Sequence, residues 1–528
     1  MISPITDSRF DFRPQLVAAP RWAKIALFVF AGAIHLLANL LYASAYGPRS
    51  SPEGDIWFFV GVAEGVERLF PTDPLQVLLP IFGFLGASGL FTFLTLLSNA
   101  LHLFALWLLF RALVAFFHDE WAAWWGCVFF TLSIVSGFAS CAGNMTHSQE
   151  ALPVVVGLLW AGHEFMMAWT ERKKLQAVGA IVALLLLGAI IGPDVFVIVT
   201  LAGPSLMIWY FRRFMDPFIR HVMGTLLLAL YFATIAMANP YLMKAVAFGA
   251  EFFRGVHLDA ARNLGLGGFA AMSWMEILSV YGPVYAVFLL LAVWAWSSGR
   301  LTELALIFTG VIFATVARRF FYIAELGFAA LICWALARPL RLSAISKHTV
   351  GVAIFAVMAA YACWKGVPCA VPGVFAEVLE EVARDPRPDK LVLCTPSYGS
   401  LVRAVAGARP TSDLREVQPE WVRLAMMPTE EAVPILAERK VTHLFLTSAD
   451  FDLGKKMDAH GIVESAFVGS GGFEALLNHL PNDKITASLA YQALLGKTPA
   501  LGLTMQKAAT HPATEQRAVL YLLGMPPP

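Results

Sequence analysis

The sequence predicts a polytopic α-helical membrane protein with a C-terminal α/β domain outside the membrane. Of its 528 residues, 58% are hydrophobic and 14% are charged, which is too apolar for a soluble globular chain. Roughly eleven apolar runs of membrane-spanning length fall between Ala23 and Val371. From Pro372 onward, charged residues recur regularly and the apolar runs shrink to strand length. These observations divide the chain into a transmembrane domain, 1–371, and an external domain, 372–528.

The expected spans cover about 23–44, 90–113, 121–139, 150–170, 175–191, 194–212, 220–238, 276–297, 301–317, 320–337 and 348–370. More than twenty polar and basic residues precede the first span, and no small-residue cleavage site follows it. We therefore expect a retained span rather than a removed signal peptide. Two loops, about 47–89 and 239–275, are long for a compact bundle, and ordered loops of that length are usually functional.

Basic turns predict the orientation of the chain in an inner (plasma) membrane. Arginine and lysine gather before the first span and in alternate short turns, at Arg21, Lys24, Arg111, Lys173, Arg212, Arg300 and Lys347. Cytoplasmic loops carry such an excess, so the N-terminus is expected in the cytoplasm. An odd number of spans then places the C-terminal domain on the periplasmic or extracellular face.

The pair Arg318-Arg319 breaks this rule, because it lies in a turn that the span count assigns to the external face. Fixed arginines at headgroup level are suited to holding a phosphate. Asp55 in the first long loop and Glu150 at the start of the fourth span are expected on the same face. Each residue also has an ordinary interpretation: a turn for Asp55, compensation of the helix dipole for Glu150, and bulk lipid headgroups for the arginines.

The external domain is expected to contain strands at Leu391–Cys394 and His443–Thr447 and helices at Gly399–Ala408 and Thr429–Glu438, with Thr429 as N-cap. The net charge of +1 argues against nucleic acid as a partner. Membrane lipids are the partners that the composition indicates.

Several segments, taken in order, resemble the catalytic subunit of oligosaccharyltransferase, in the glycosyltransferase-C (GT-C) superfamily. In the membrane part these are Asp55-Ile-Trp-Phe58, Asp119-Glu-Trp-Ala-Ala123, Ser148-Gln-Glu-Ala151, Gly192-Pro-Asp-Val-Phe-Val-Ile198 and Ala317-Arg-Arg-Phe-Phe-Tyr322. Beyond it they are Cys394-Thr-Pro-Ser-Tyr-Gly399, Arg409-Pro-Thr411, Thr429-Glu-Glu-Ala-Val433 and Val441-Thr-His-Leu-Phe-Leu446. The resemblance implies a GT-C-like membrane domain, Asp55 and Glu150 as catalytic or metal-binding acids, and Arg319, with Arg318 as alternate, as the grip on the donor phosphate.

The chain also departs from the family pattern. Of the external Trp-Trp-Asp-Tyr-Gly signature, Tyr398 and Gly399 remain, while Thr395, Pro396 and Ser397 replace the three residues that bind the acceptor sequon. Tyr398, Gly399 and Ser397 are the expected acceptor-side residues. Ser148 replaces a leading aspartate, and a glutamate expected a few residues before Ser273-Trp274 falls near Gly268. Because hard divalent cations need several oxygen ligands, both Mn²⁺ or Mg²⁺ dependence and a metal-independent reaction remain open.

The sequence thus predicts a glycosyltransferase that moves a sugar or glycan from a polyprenyl-(pyro)phosphate carrier to an acceptor protein or glycan, as yet unidentified, on the external face. The competing prediction is a non-catalytic scaffold that kept the fold and lost the site. A transporter is less consistent with the sequence, which has no paired broken helices in corresponding halves.

Overall fold

The computed structural model describes residues 16–51, 55–67, 74–133, 147–168, 170–191, 272–282, 284–298, 301–315, 318–337, 344–365, 371–412, 419–448, 487–496, 502–511 and 516–524, with a few single residues between 222 and 229. The helices of the bundle are α1 Arg21–Tyr46, α2 Asp55–Ala63, α3 Pro74–Leu78, α4 Gly86–Phe117, α5 Glu120–Thr131, α6 His147–Met167, α7 Glu171–Ile191, α8 Trp274–Tyr281, α9 Val284–Ser297, α10 Leu301–Ala314, α11 Phe321–Ala337 and α12 Ala344–Lys365. Two 3₁₀ turns, Leu79–Leu85 and Arg318–Phe320, precede α4 and α11.

The C-terminal α/β region (371–524) contains α13 Gly373–Arg384, β1 Leu391–Leu393, a 3₁₀ turn Pro396–Tyr398, α14 Gly399–Ala406, β2 Arg409–Pro410, α15 Pro419–Met426, α16 Thr429–Glu438, β3 His443–Thr447, α17 Leu489–Leu494, β4 Leu503–Thr510 and β5 Arg517–Leu523. Its sheet has the order β2-β1-β3-β5-β4. The first three of these strands run parallel, and β5 pairs antiparallel with β3 and β4. The position of this region outside the membrane stays a prediction.

Alternation along the strands gives the sheet two covered faces. Val392 and Phe445 pack with α2, α13 and α14 on one face. Leu393, Leu444 and Leu446 pack with α15, α16 and α17 on the other. The first long loop thereby supplies a helix, α2, to the core of the C-terminal region.

Apolar exposure on the bundle is that of a membrane protein. Trp22, Leu36 and Leu40 of α1 are 60% exposed or more, as is Leu290 of α9. Arg21–Tyr46 and Leu75–Phe117 are the two helical segments, within the described parts of the chain, that are long and apolar enough to cross a bilayer. They match the predicted spans 23–44 and 90–113. The total of about eleven spans stays a prediction, and the spans 194–212 and 220–238 fall outside the described residues.

Some local predictions were wrong. The expected span 276–297 is two helices, α8 and α9, which separate at Gly282, where φ is +49°. Thr429 is not an N-cap: α16 begins at Thr429 itself, and no side chain caps it. The expected helix to Ala408 ends at Ala406, because Gly407 takes a left-handed conformation that terminates it.

The two ends of the bundle are distinct. At the basal end, where α1 begins, Val17 pairs with Asp119 at the start of α5, and Lys347 of α12 also contacts Asp119. At the sheet end, where α1 ends, Ser51 pairs with Val371 at the start of the C-terminal region. α4 runs from one end to the other, because Leu90 and Phe91 near its start pack in the core shared with α2 and its last residue, Phe117, lies close to Asp119 in the chain.

Candidate active site

The candidate aspartate, Asp55, is the first residue of α2, at the sheet end. Its side chain lies outside the described residues. The helix behind it is fixed, because Ile56, Trp57, Phe59 and Val60 are fully buried in the core shared with α4, α13 and α14. The packing of α2 therefore fixes the backbone position of Asp55.

A short antiparallel bridge joins the loop before α2 to the C-terminal region. The Ser51 amide donates to the Val371 carbonyl at 2.9 Å, and the Val371 amide donates back at 3.1 Å. Arg49 forms an ion pair with Glu380 at 2.8 Å. A side chain at Gly373 would collide with the Pro48 carbonyl oxygen, so glycine permits this approach.

A second link follows α2. Backbone amides of Val66 and Glu67 donate to the Gly61 carbonyl at 2.9 and 3.0 Å, which folds the chain back on the helix. The buried carboxylate of Glu67 then receives a hydrogen bond from Arg403 of α14 at 2.6 Å. Burial raises the pKa of the neighbouring Glu64 above its ordinary value. The loop that carries Asp55 is thus clamped to the C-terminal region on both sides.

The arginine pair lies in the 3₁₀ turn Arg318–Phe320, between α10 and α11. Any side chain at Gly310 or Gly327 would collide with the facing helix, so these glycines let α10 and α11 pack closely. Phe320 is fully buried and packs edge-on against Phe313 at 5.8 Å. This anchor leaves Arg318 exposed at the turn, while the side chain of Arg319 lies outside the described residues.

Helix contacts place this turn at the sheet end. α5 rises from Glu120 at the basal end, and its Gly126 faces Ala329 and Cys333 of α11. Further along, Phe129 of α5 meets Tyr281, which meets Phe321 at the start of α11. α11 therefore runs toward the basal end, and the arginine turn before it lies at the opposite one.

Glu150 lies in the first turn of α6 and is 7% exposed. The far part of this helix is basal, because His163 packs on Phe116 near the end of α4, with 4.3 Å between ring centroids. The 13 residues between Glu150 and His163 span about 20 Å of helix, which brings Glu150 toward the sheet end. The side chain of Ser148 lies outside the described residues.

Glu276 is a functional candidate that the sequence analysis missed. Ser273 accepts a hydrogen bond from the Glu276 amide at 3.1 Å, and the Glu276 carboxylate accepts one from the Ser273 amide at 2.6 Å, which forms a capping box. The Met272 amide donates to the Ala314 carbonyl at 3.0 Å, next to the arginine turn. Glu276 is exposed there. The Ser-x-x-Glu spacing was readable from the sequence.

The C-terminal end of α8 is held by two further hydrogen bonds. The Tyr281 hydroxyl donates to the buried carboxylate of Glu325 on α11 at 2.5 Å. The Tyr361 hydroxyl of α12 donates to the Ser279 carbonyl at 2.7 Å. The first bond fixes α8 to α11, which follows the arginine turn, and the second fixes it to α12.

The expected acceptor-side residues adjoin the sheet. The Tyr398 ring is buried between Phe375 and Phe445, at centroid distances of 5.6 and 5.8 Å. Gly399 is buried at the start of α14, while Ser397 is partly exposed. The ring of Tyr398 is therefore part of the core, and Ser397 is the most accessible of the three.

The structure thus brings the elements that carry Asp55, Glu150, Arg318 and Arg319 to one end of the bundle, together with Glu276. Among the described residues, no three histidine, cysteine or carboxylate side chains are grouped so that they can hold a metal ion. Gly268, where a further acidic residue was sought, lies outside the described residues. The arrangement can supply carboxylates as proton acceptors and guanidinium groups to a phosphate.

Comparison with solved structures identifies the architecture. AglB, the archaeal oligosaccharyltransferase from Archaeoglobus fulgidus, solved with an inhibitory peptide and a dolichol-phosphate, matches 94% of this chain and 80% of its own, with a TM-score of 0.59 and 12% identity. The chain has the oligosaccharyltransferase fold. The resemblance found in the sequence is confirmed at this level.

Two further structures of the Archaeoglobus fulgidus oligosaccharyltransferase show the same fold. One, tethered to an acceptor peptide with an NVT sequon, covers 93% of this chain and 80% of its own, with a TM-score of 0.57 and 13% identity. Another, with zinc and sulfate, covers 92% and 79%, with a TM-score of 0.56 and 14% identity. No family model matches the sequence, and no curated protein matches it.

Proposed function

We propose that this chain is a membrane glycosyltransferase that transfers a sugar or glycan from a polyprenyl-phosphate or pyrophosphate carrier to an acceptor. The observation that carries the proposal is the oligosaccharyltransferase fold over 94% of the chain. The sheet end supports it, because the elements that carry these acids and arginines, which are costly near a bilayer, lie there together. That end faces the periplasm or the exterior in the proposed topology.

Each residue has a proposed role. Asp55 is the base or an anionic ligand, and Glu150 and Glu276 are further acidic contributors. Arg319, with Arg318 as alternate, holds the donor phosphate. Negative charge grows on the phosphate as its bond to the sugar breaks, so a fixed guanidinium stabilises the transition state more than the ground state.

The acceptor is proposed to be something other than an Asn-X-Ser/Thr sequon. Thr395, Pro396 and Ser397 stand where the family resemblance expects the sequon-binding trio. Pro396 has no amide hydrogen, and threonine and serine offer short hydroxyls in place of two indoles and a carboxylate. Ser397, which is partly exposed, remains available to a different acceptor protein or glycan.

The central test is transfer by purified full-length protein from a synthetic polyprenyl-linked sugar to total membrane acceptors. Asp55→Asn keeps the shape of the side chain and removes its charge, so the rate is expected to fall on the order of a hundredfold or more. The matched control is Asp389→Asn, at an exposed position of the C-terminal region. If a cellular phenotype survives Asp55→Asn at normal protein levels, the chain is a scaffold with the same fold.

A second test concerns the metal. With Ser148 in place of an acid, we expect transfer to persist in EDTA. Loss of transfer in EDTA, restored by Mn²⁺ or Mg²⁺, would contradict this expectation. In that case Glu276→Gln should raise the Mn²⁺ or Mg²⁺ concentration needed for transfer, because Glu276 is an exposed acid whose helix begins beside the arginine turn.

A further inference from the structure

A cleft at the basal end lies outside the proposed active site. It has a volume of about 370 Å³ and opens between α1, α4 and α6. Its charged lining residues are Lys24, Arg111, Glu120 and Glu164. The volume is within the range of small-molecule sites, which begins at about 300 Å³.

Two of its charges neutralise each other. Lys24 lies 2.5 Å from a Glu120 oxygen, and the other oxygen of Glu120 accepts the Ala19 amide at 2.7 Å. The carboxylate is therefore fully used in fixing the start of α1 to α5. This pair contributes no net charge to the cleft.

The other two charges are separate. The Arg111 guanidinium lies 5.5 Å from the centre of the Trp160 ring. The indole nitrogen of Trp160 donates to Glu164 at 3.2 Å. Arg111 and Glu164 are both exposed, and they form no ion pair with each other among the described residues. The cleft thus presents one cation over the face of an indole and one anion at its nitrogen edge, with no net charge.

The remaining wall is apolar and aromatic. Trp107 packs edge-on against Trp160 at 6.5 Å between centroids, and Phe28 and Phe110 line the cleft beside them. Trp107 is 43% exposed. Tryptophans near the end of a helix bundle are typical of the bilayer interface, where one end of a site meets acyl chains and the other meets headgroups.

We propose that this cleft binds a zwitterionic phospholipid with a primary-amine headgroup, such as a phosphatidylethanolamine. Its phosphate contacts Arg111, its ammonium group donates to Glu164, and its first acyl carbons lie on Phe28 and Trp107. A neutral site with separated charges matches a zwitterion better than an anionic headgroup, which would face Glu164 with its negative charge. A quaternary ammonium cannot donate the hydrogen bond to Glu164.

The test uses detergent-purified full-length protein titrated with phosphatidylethanolamine, phosphatidylcholine and phosphatidylglycerol of identical acyl chains, with bound lipid counted by native mass spectrometry. Phosphatidylethanolamine is expected to bind about tenfold more tightly than either of the others, the size of one charge-assisted hydrogen bond. Arg111→Gln should weaken the binding of phosphatidylethanolamine and phosphatidylcholine alike. Glu164→Gln should weaken the binding of both lipids and should lower the preference for phosphatidylethanolamine over phosphatidylcholine, because a charge-assisted hydrogen bond becomes a neutral one.

Matched controls lie on the exposed turn at the same end of the bundle. Arg172→Gln and Glu171→Gln should change neither affinity nor preference, since neither residue lines the cleft. Equal or tighter binding of phosphatidylglycerol by the wild type would overturn the proposal. So would an unchanged preference in Glu164→Gln, which decides the matter even if Arg111→Gln fails to fold. Water-soluble phosphoethanolamine that competes as well as the lipid would show a headgroup site that does not need the apolar wall, and would also overturn it.

Discussion

The basal and sheet ends of the bundle use the same residue types for different purposes. At the basal end, Asp119 caps α5 through the Ala122 amide at 2.9 Å and pairs with Lys347 at 2.7 Å. Glu120 beside it holds Lys24 and the Ala19 amide. At the sheet end, Glu67 and Arg49 bind across to the C-terminal region, while Arg318 and Glu276 are exposed.

This difference separates structural charges from those available to a substrate. A carboxylate with two internal partners in a low-dielectric site cannot act on a substrate without breaking them. Asp119 and Glu120 belong to a segment that resembles the oligosaccharyltransferase family, yet both are occupied in fixing helices. Arg318 and Glu276 of the sheet end are exposed, so a substrate can reach them without any unpacking of the bundle.

The largest expected effect of a substitution is on stability at the basal end. Asp119→Ala removes the cap of α5 and leaves Lys347 without its buried partner, so the free energy of unfolding should fall by about 3–5 kcal/mol. Chemical unfolding of the purified protein measures it. Glu171→Ala, which removes an exposed acid at the same end, should change it by less than about 0.5 kcal/mol. Equal losses in the two variants would show that Asp119 has no special structural role.

The next effect is on transfer at the sheet end. Arg319→Gln and Arg318→Gln should lower the rate, the more important of them by about a hundredfold, because a phosphate-holding charge is lost as negative charge develops. Thermal stability of the Arg318 variant should remain near that of the wild type, because the exposed Arg318 side chain contributes little to packing. Arg172→Gln is the basal control. A rate that stays unchanged in both Arg318 and Arg319 variants would refute the proposed phosphate grip.

How far the sequence predicted the fold depends on the range over which each pattern acts. The strand predicted at His443–Thr447 is correct. Its signal is local, because a run of five mostly apolar residues forms a fully buried strand. The break at Gly282 was missed because a glycine inside an apolar run gives the same hydropathy as a continuous span. Two apolar helices of spanning length agree with the predicted membrane location, whereas the full count of spans stays a prediction.

The candidate site was predictable in its residue types and less so in its environment. Sequence reasoning selected Arg318 and Glu150 from charge near a span boundary, and both lie on elements of the sheet end. It did not predict that the loop bearing Asp55 supplies α2 to the core of the C-terminal region, because that contact joins residues more than 300 positions apart. The sequence analysis passed over Glu276 because it sought the acid of the second long loop before Ser273. Glu276 lies three residues after Ser273, in the capping box.

A smaller effect concerns the clamp between the two regions at the sheet end. Glu67→Gln removes the charge opposite Arg403, so stability should fall by about 2 kcal/mol. The double variant Glu67→Gln, Arg403→Gln should recover part of that loss, because no single charge is then left buried. The rate of proteolysis of the 371–524 region reports this change in stability. The Glu381–Arg384 pair, in which Arg384 is exposed and Glu381 partly so, supplies the control. Additive losses in the double variant would show that the two residues act independently.

The smallest expected effect is a pH response of the C-terminal α/β region. Burial, followed by the positive charge of Arg387, lowers the pKa of His443 to about 4, although Asp385 lies 3.1 Å away. Hydrogen bonds from the Arg387 side chain lower the pKa of Asp385 to about 2, so Asp385 stays ionised while His443 titrates.

His443 is therefore neutral in the folded protein, whereas an unfolded histidine gains a proton below about pH 6.5. The stabilisation is complete above about pH 6.5 and is lost as the pH falls toward 4, by about 1–2 kcal/mol between about pH 7 and 5. Hydrogen exchange should show faster opening of β1 and β3 at about pH 5, with basal segments 16–24 and 118–125 unchanged. His443→Gln should flatten this response, and equal acid sensitivity at both ends would assign it to another group.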